Sequence, residues 1–251
     1  MRPPKASWND PAFSWQGKPL RVLLTRHAQS ANKTRAESEA ASSDPGLSEQ
    51  GSQQAALLGD ALSTELRHCV PGGLIVVSSP MRRCMLTVLP AIRLLDLPQE
   101  DCICHGAAFE FGCAGKACPG STPEEVQAQL PFRCEGFGPF GWDYQGGSAK
   151  ETEPEARLRI ERLVHWLAAE AVPTLQRRQG AADRTLLICM HQTILDLLVQ
   201  YLVDGTGERW RYGEIRYKLQ NAGITELSIG PDGAIHIVRK NDGRHLHPGA
   251  H

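Results

Sequence analysis

An α/β fold with three layers, a mostly parallel sheet with helices on both faces, is predicted by three features of the sequence. Short, continuous apolar runs rich in strand formers recur along the chain. Helix-length stretches with apolar residues on one side separate them. Three of the runs also stop abruptly at polar residues. Unbroken apolar runs suit strands buried on both faces, and strands alternating with helices suit a doubly wound sheet.

The elements follow in order. LRVLLT (residues 20–25) is the first strand and stops at Arg26-His27. Residues 52–66 form a helix with Ala55, Leu58, Gly59, Leu62 and Leu66 on one stripe. LIVVS (74–78) is the second strand, stopping at Ser79-Pro80, and a helix over 82–95 follows it. A long helix is predicted over 153–175, with Leu158, Leu163, Val164, Leu167 and Ala171 facing inward, opposite Arg157, Arg159, Glu161 and Arg162. TLLICM (185–190) stops at His191 and leads into a helix over 192–203. Residues 224–229 and 234–238 flank the turn Gly230-Pro231-Asp232-Gly233 and read as a terminal hairpin. The segment 102–150, rich in Gly, Pro, Cys and Phe, fits no period and is read as an insertion forming a lid over the active site. Residues 1–19 read as an N-terminal extension and 240–251 as a C-terminal tail whose His245, His247 and His251 are solvated.

Composition narrows the function. A chain of 251 residues can bury the core of one large α/β domain. Its net charge of −1 argues against electrostatic binding of nucleic acid. No apolar run approaches the roughly 20 residues of a membrane span, and residues 1–20 lack the apolar centre of a secretion signal. The eight cysteines then suit a reducing, cytoplasmic setting where they remain thiols. Cys102, Cys104, Cys113 and Cys118, with His105 adjacent, invite a metal reading, but their C-x-C and C-x4-C spacings lack the tight C-x2-C pairing of zinc sites. Neither a metal nor a cofactor is expected.

Three polar groups stand just beyond the ends of three predicted strands: Arg26-His27, the Arg82-Arg83 pair, and His191. Open parallel sheets bind ligands outside the carboxyl ends of their strands. If these strands are parallel neighbours, two histidines and at least two arginines converge. Arginine forks match phosphate oxygens and stay charged. A neutral histidine among them can attack phosphorus. Each element alone has an ordinary structural explanation; the joint pattern points to a small phosphorylated substrate.

At these residues a resemblance becomes specific. LLTRHAQS (23–30) is similar to the R-H-G or R-H-A signature of the histidine phosphatase superfamily, whose best-known branch is cofactor-dependent phosphoglycerate mutase. DPGLSEQGSQQA (44–55) resembles its D-x-x-L-[ST]-x-x-G-x-x-Q-A segment, and SSPMRRCMLT (78–87) its S-P-L-x-R-A-x-x-T motif. ICMHQTILDLL (188–198) resembles its second-histidine motif, and NAGITEL (221–227) a late strand opening. The resemblance implies a phosphoglycerate-mutase-like fold in one domain over 20–239 and a metal-independent phosphatase working through phosphohistidine. It implies that His27 is the nucleophile, that Arg26 and Arg83 grip the phosphoryl oxygens, and that His191 completes the grip. Arg83, standing immediately before the small residue of the motif, matches the family arginine, which leaves Arg82 on the surface. Ser30 lies in the same loop as a hydrogen-bond donor. The family's general acid is a carboxylate between the Arg83 helix and the long C-terminal helix. Residues 107–110 read as the end of a short strand carrying it, so Glu110 is the candidate, with Glu124, Glu125 and Asp143 as alternatives.

The sequence also departs from the pattern. Lys33 occupies the usual position of a family asparagine, and Asn32, one residue earlier, is the candidate phosphate contact in its place. Gln192 replaces the usual glycine after the second histidine and is expected to narrow the pocket. Mutases of the family carry R-H-G-E-S-x-W-N and E-R-H-Y-G, where this chain has RHAQSANK and FEFGCAG, so hydrolysis is favoured over phosphotransfer. A non-catalytic binding module would typically have lost the nucleophile or an arginine, and both are present. Arg133, Lys116, Trp142 and Tyr144 of the insertion are candidate contacts to the rest of the substrate, be it a sugar, a nucleotide or a phosphorylated side chain.

Overall fold

The computed structural model describes residues 19–31, 44–115, 120–178 and 183–247. In chain order the elements are β1 (Leu20–Arg26), α1 (Glu49–Leu66), β2 (Leu74–Ser78), α2 (Arg82–Leu94), β3 (Cys102–His105), α3 (Pro123–Gln127), β4 (Arg133–Glu135), α4 (Glu153–Trp166), α5 (Val172–Arg177), β5 (Thr185–Met190), α6 (Gln192–Asp204), β6 (Ile224–Ile229) and β7 (Ile235–Asp242). The strands form one sheet in the order β4-β3-β2-β5-β1-β6-β7. From β4 to β1 every pairing is parallel, and β6 and β7 close that edge antiparallel.

Side-chain alternation sorts the core into two halves. Leu20, Val22 and Leu24 of β1, Ile75 and Val77 of β2, and Leu186 and Ile188 of β5 pack against α4, α5 and α6. Leu23, Leu74, Val76, Leu187 and Cys189 point the other way and pack against α1 and α2. The helices thus cover both faces, and the continuous apolar runs are explained by strands with no solvent side. β5 lies between β1 and β2, with Arg26 paired to Met190 and Ser78 to Cys189. The three strand ends that carry the polar groups are therefore neighbours on one rim of the sheet.

Local signals fix how α1 meets that rim. Ser48 caps the helix by accepting the Gly51 N–H at 3.0 Å, and its hydroxyl donates to Gln29 Oε1 at 2.7 Å. A Cβ on Gly51 would lie 2.0 Å from Gln29 O, so only glycine lets α1 press against the loop after β1. That contact accounts for the glycine of the LSEQG segment.

Three departures from expectation have physical causes. The segment 102–150 is not wholly irregular: β3 and β4 extend the sheet, with Ile103 opposite Arg133 and Cys104 opposite Cys134. The long helix over 153–175 widens into a π turn at Leu167–Ala171. Pro173 explains the change, because it has no N–H and its ring crowds the preceding turn. The tail is partly folded: β7 runs to Asp242, a tight turn spans Arg244–Leu246, and the His245 ring bonds Ala222 O at 3.0 Å. Residues 1–18 of the N-terminal extension and His251 lie outside the described residues. No described helix is long and apolar enough to cross a membrane.

Candidate active site

The loop after β1 is held by backbone bonds before any side chain acts. His27 N–H donates to Met190 O at 2.9 Å, and Asn221 Nδ2 donates to His27 O at 2.7 Å. Ala28 N–H donates to Thr87 Oγ1 at 2.9 Å, and that hydroxyl donates to Arg83 O at 2.6 Å, tying the loop to α2. The His27 ring is fixed as well. Its Nδ1 lies 2.7 Å from Ala28 O, which can only accept, so Nδ1 carries the proton. In the neutral ring Nε2 is then the basic nitrogen, the one a nucleophile needs.

His191 ends β5 and stands 5.1 Å from His27, ring centre to ring centre, with the planes tilted by 58°. It is fully buried, and its Nε2 meets Ser79 Oγ at 2.7 Å. Burial first, then the charge of Arg83, holds the His191 ring well below the usual imidazole range, so it is neutral at pH 7. Ser79 itself is anchored by donating its N–H to Cys189 O at 2.9 Å. Arg83 is buried in the first turn of α2, while Arg82 is turned outward to Gln129. Arg26 Nη1 donates to Leu219 O at 3.1 Å, but its Nε is buried with no acceptor among the described residues. A buried guanidinium N–H without an acceptor is the kind of group an anion can satisfy.

Glu110 completes the group from another direction. Its Oε1 accepts the N–H groups of Phe111 at 2.8 Å and Ile194 at 3.3 Å, and its Oε2 that of Thr193 at 3.4 Å. The carboxyl thus sits on the first turn of α6, directly after His191. Burial pushes its pKa above the usual range, against the lowering pull of those N–H groups and of Arg83. A raised pKa beside cations is the condition for a carboxyl group that keeps its proton to give away. It does not end a strand, as residues 107–110 suggested. β3 stops at His105, whose Nδ1 accepts the Ala107 N–H at 3.1 Å and starts a tight turn over Gly106–Ala108.

The alternative carboxylates are engaged elsewhere. Glu125 caps α3 through the Thr122 N–H, Glu124 is exposed on the same helix, and Asp143 pairs with Arg162 at 2.9 Å. Ser30 is buried in a bridge to Leu47 that supports the His27 loop; Asn32 lies outside the described residues. The Gln192 side chain, expected at the pocket rim, is engaged with the loop before β6. It bonds Tyr217 O at 3.0 Å and Leu219 N at 2.8 Å, fastening the loop whose carbonyl holds Arg26. Trp142 is packed on Phe109 in the core, the Tyr144 hydroxyl donates to Ser148 O at 2.6 Å, and Arg133 pairs with Glu135. None of the three is presented as the expected substrate contact, and Lys116 lies outside the described residues. Cys102 and Cys104 are buried on the α2 face of the sheet, while His105 points to the other face and packs against Trp166, ring centres 4.3 Å apart and planes tilted by 49°. No metal-holding group of three His, Cys, Asp or Glu exists among the described residues.

Sequence reasoning gave no role to Ser79, Thr87 or Asn221, although all three sit inside the quoted motifs. It also placed Arg159 on the solvent face and Leu158 inside. The reverse holds: Leu158 is 57% exposed and Arg159 only 1%.

Comparison with known proteins identifies the family and the fold. Residues 22–243 match the family model of the histidine phosphatase superfamily (branch 1). Among solved structures, the ecdysone phosphate phosphatase of Bombix mori superimposes with a TM-score of 0.57 at 18% identity, over 89% of this chain and 93% of that one. A mycobacterial glucosyl-3-phosphoglycerate phosphatase gives 0.54 at 18% identity, over 90% and 100%. The alpha-ribazole phosphatase of Shigella flexneri gives 0.54 at 15% identity, over 88% and 96%. At these identities the likeness is one of fold. No curated protein sequence matches the chain.

Proposed function

The chain belongs to the histidine phosphatase superfamily, and from that premise we propose that it is a metal-independent phosphatase hydrolysing a small phosphate monoester through phosphohistidine on His27. The observation that carries this reading is the His27 ring: Nδ1 is committed to Ala28 O, which leaves Nε2 as the nucleophilic nitrogen. In the first step Nε2 attacks phosphorus, the bond to the leaving oxygen breaks, and Glu110 gives that oxygen its proton. In the second, the Glu110 carboxylate takes a proton from water, whose oxygen displaces His27 and releases phosphate. Arg26, Arg83 and His191 bind the phosphoryl oxygens throughout, neutralising charge where it develops. Ser30 and Asn32 are further phosphate contacts in this reading. We place the enzyme in the cytoplasm on its cysteine content, with neither nucleic acid nor membrane as partner.

The test is a rapid-quench experiment with a ³²P-labelled aryl phosphate in EDTA. The expected result is acid-labile label on His27 and steady phosphate release without any bisphosphoglycerate. Turnover that needs 2,3-bisphosphoglycerate and moves label to a second acceptor would make the protein a mutase. Activity lost to EDTA and restored by a divalent ion would overturn the metal-independent mechanism.

A further inference from the structure

The segment that presents Glu110 is gripped from behind by a pair of side chains that the reaction itself does not use. Arg159 of α4 and Glu151, just before α4, form a fully buried fork: Nε to Oε1 at 2.6 Å and Nη2 to Oε2 at 2.7 Å. The remaining arm of the guanidinium, Nη1, donates to Ala107 O at 2.6 Å and to Phe109 O at 3.0 Å. Its flat face lies 3.6 Å over the Phe109 ring. On the far side, Glu151 Oε2 accepts the Gly112 N–H at 3.3 Å, and the Glu151 N–H donates to Ala114 O at 3.1 Å. Backbone groups at 107, 109, 112 and 114 are therefore all tied to one ion pair, and Glu110 sits in the middle of the tied stretch.

A buried ion pair is a poor way to gain stability, because desolvating both charges offsets most of their attraction. What such a pair supplies is direction. Five N–H donors in a rigid plane specify where two carbonyls and a carboxylate must lie. Glu110 has no strand to fix it, since β3 ends at His105. Its carboxyl rests on the first N–H groups of α6 and its carbonyl accepts the Cys113 N–H at 3.1 Å, while the residues on either side of it are held by this ion pair. The Arg159 charge also helps to lower the His191 pKa, after burial and the charges of Arg83 and His27.

We propose that the buried Arg159–Glu151 pair is a positioning clamp that sets the Glu110 carboxyl against the leaving oxygen, an inference that rests on Glu110 being the acid. Lysine at 159 keeps the charge but cannot fork to four acceptors. Arg159→Lys should fold and should lower kcat for an alkyl phosphate by about 10–100-fold, the scale expected of a displaced reacting group. Its single-turnover rate of nitrophenol release from p-nitrophenyl phosphate, whose leaving group needs no proton, should stay within about threefold, the alkyl phosphate being followed in the same way so that breakdown of phosphohistidine does not enter. If Arg159→Lys does not fold, the apolar double variant Arg159→Met/Glu151→Leu is read in the same way, since isosteric replacement of buried pairs is commonly tolerated. A merely structural pair would lower both substrates equally. A folded variant that keeps the wild-type ratio of the two rates overturns the clamp. Glu110→Gln runs alongside: if it shows the leaving-group effect and the clamp variants do not, only the clamp fails. If Glu110→Gln shows none, the acid assignment fails and takes the clamp with it.

Discussion

The two sides of the site are built by different means. On one side, His27, Ser79 and His191 sit at the ends of β1, β2 and β5, and main-chain bonds such as His27 N–H to Met190 O and Ser79 N–H to Cys189 O place them. On the other, Glu110 follows a tight turn beyond β3 and is held by Arg159, Glu151 and the first N–H groups of α6. Strand ends thus place the two histidines through main-chain bonds, whereas the loop that carries the acid relies on a buried side-chain pair together with a helix end. A strand end tolerates changes in its neighbours; a clamp does not.

Substitutions can break or sharpen this contrast, beginning with the largest effect. His27→Ala should abolish turnover, because no other group at the strand ends presents a comparably oriented nitrogen to phosphorus. Phosphate release by a folded variant checks it, and wild-type-like rates would remove His27 from the centre of the mechanism. Glu110→Gln should come next, with a loss of about 10²–10⁴ on alkyl phosphates, the usual worth of a general acid, and little on p-nitrophenyl phosphate. Single-turnover measurement separates this from slow breakdown of phosphohistidine.

The pH profile sharpens the same point. An acid acts only while protonated, so the rate on alkyl phosphates should fall as pH rises through the Glu110 pKa. Because burial raises that pKa, this limb should lie above the ordinary carboxylate range of about 4.3. Glu110→Gln should erase the limb; a limb that persists belongs to another group.

Arg83→Ala should cost about 10²–10³ in kcat, as removal of one donor to a developing oxyanion does. Arg82→Ala should change kcat by less than about threefold, since its guanidinium is turned to Gln129 on the surface. The opposite order of damage would show that the register of SPMRRC had been misread.

The smallest effect is on stability and concerns His105, at the start of the turn that leads to Glu110. Burial holds its pKa at about 4, below the 6.5 of a free imidazole. The unfolded chain therefore binds this proton first, so the contribution is complete above about pH 6.5 and is lost as pH falls toward 4. Up to about 3 kcal/mol is at stake. His105→Asn retains an acceptor for the Ala107 N–H. Its stability deficit in urea melts should shrink between pH 7 and pH 4.5; a constant deficit would mean that His105 does not titrate in this window.

The sequence by itself determined the sheet and the groups on its rim. Short unbroken apolar runs rich in strand formers, such as LIVVS and TLLICM, suit strands covered on both faces, and a residue directly after such a run is placed by the strand. That is why His27 and His191 were legible from positions far apart in the chain, while Arg83, in the first turn of α2, was singled out from Arg82 by the resemblance of SPMRRC to the family motif. Periodicity also located α1, α2 and α6 to within a few residues. Tertiary structure alone decided the rest. It put β3 and β4 in the sheet, although CICH and RCE are too short to announce themselves. It widened the long helix ahead of Pro173, and it turned Arg159 inward where its helical neighbours suggested solvent. An arginine reads as a surface residue until a carboxylate and two carbonyls are brought round it, and here those partners come from Glu151, Ala107 and Phe109. Apolar patterning records which residues leave water; it does not record which polar groups meet once they have left.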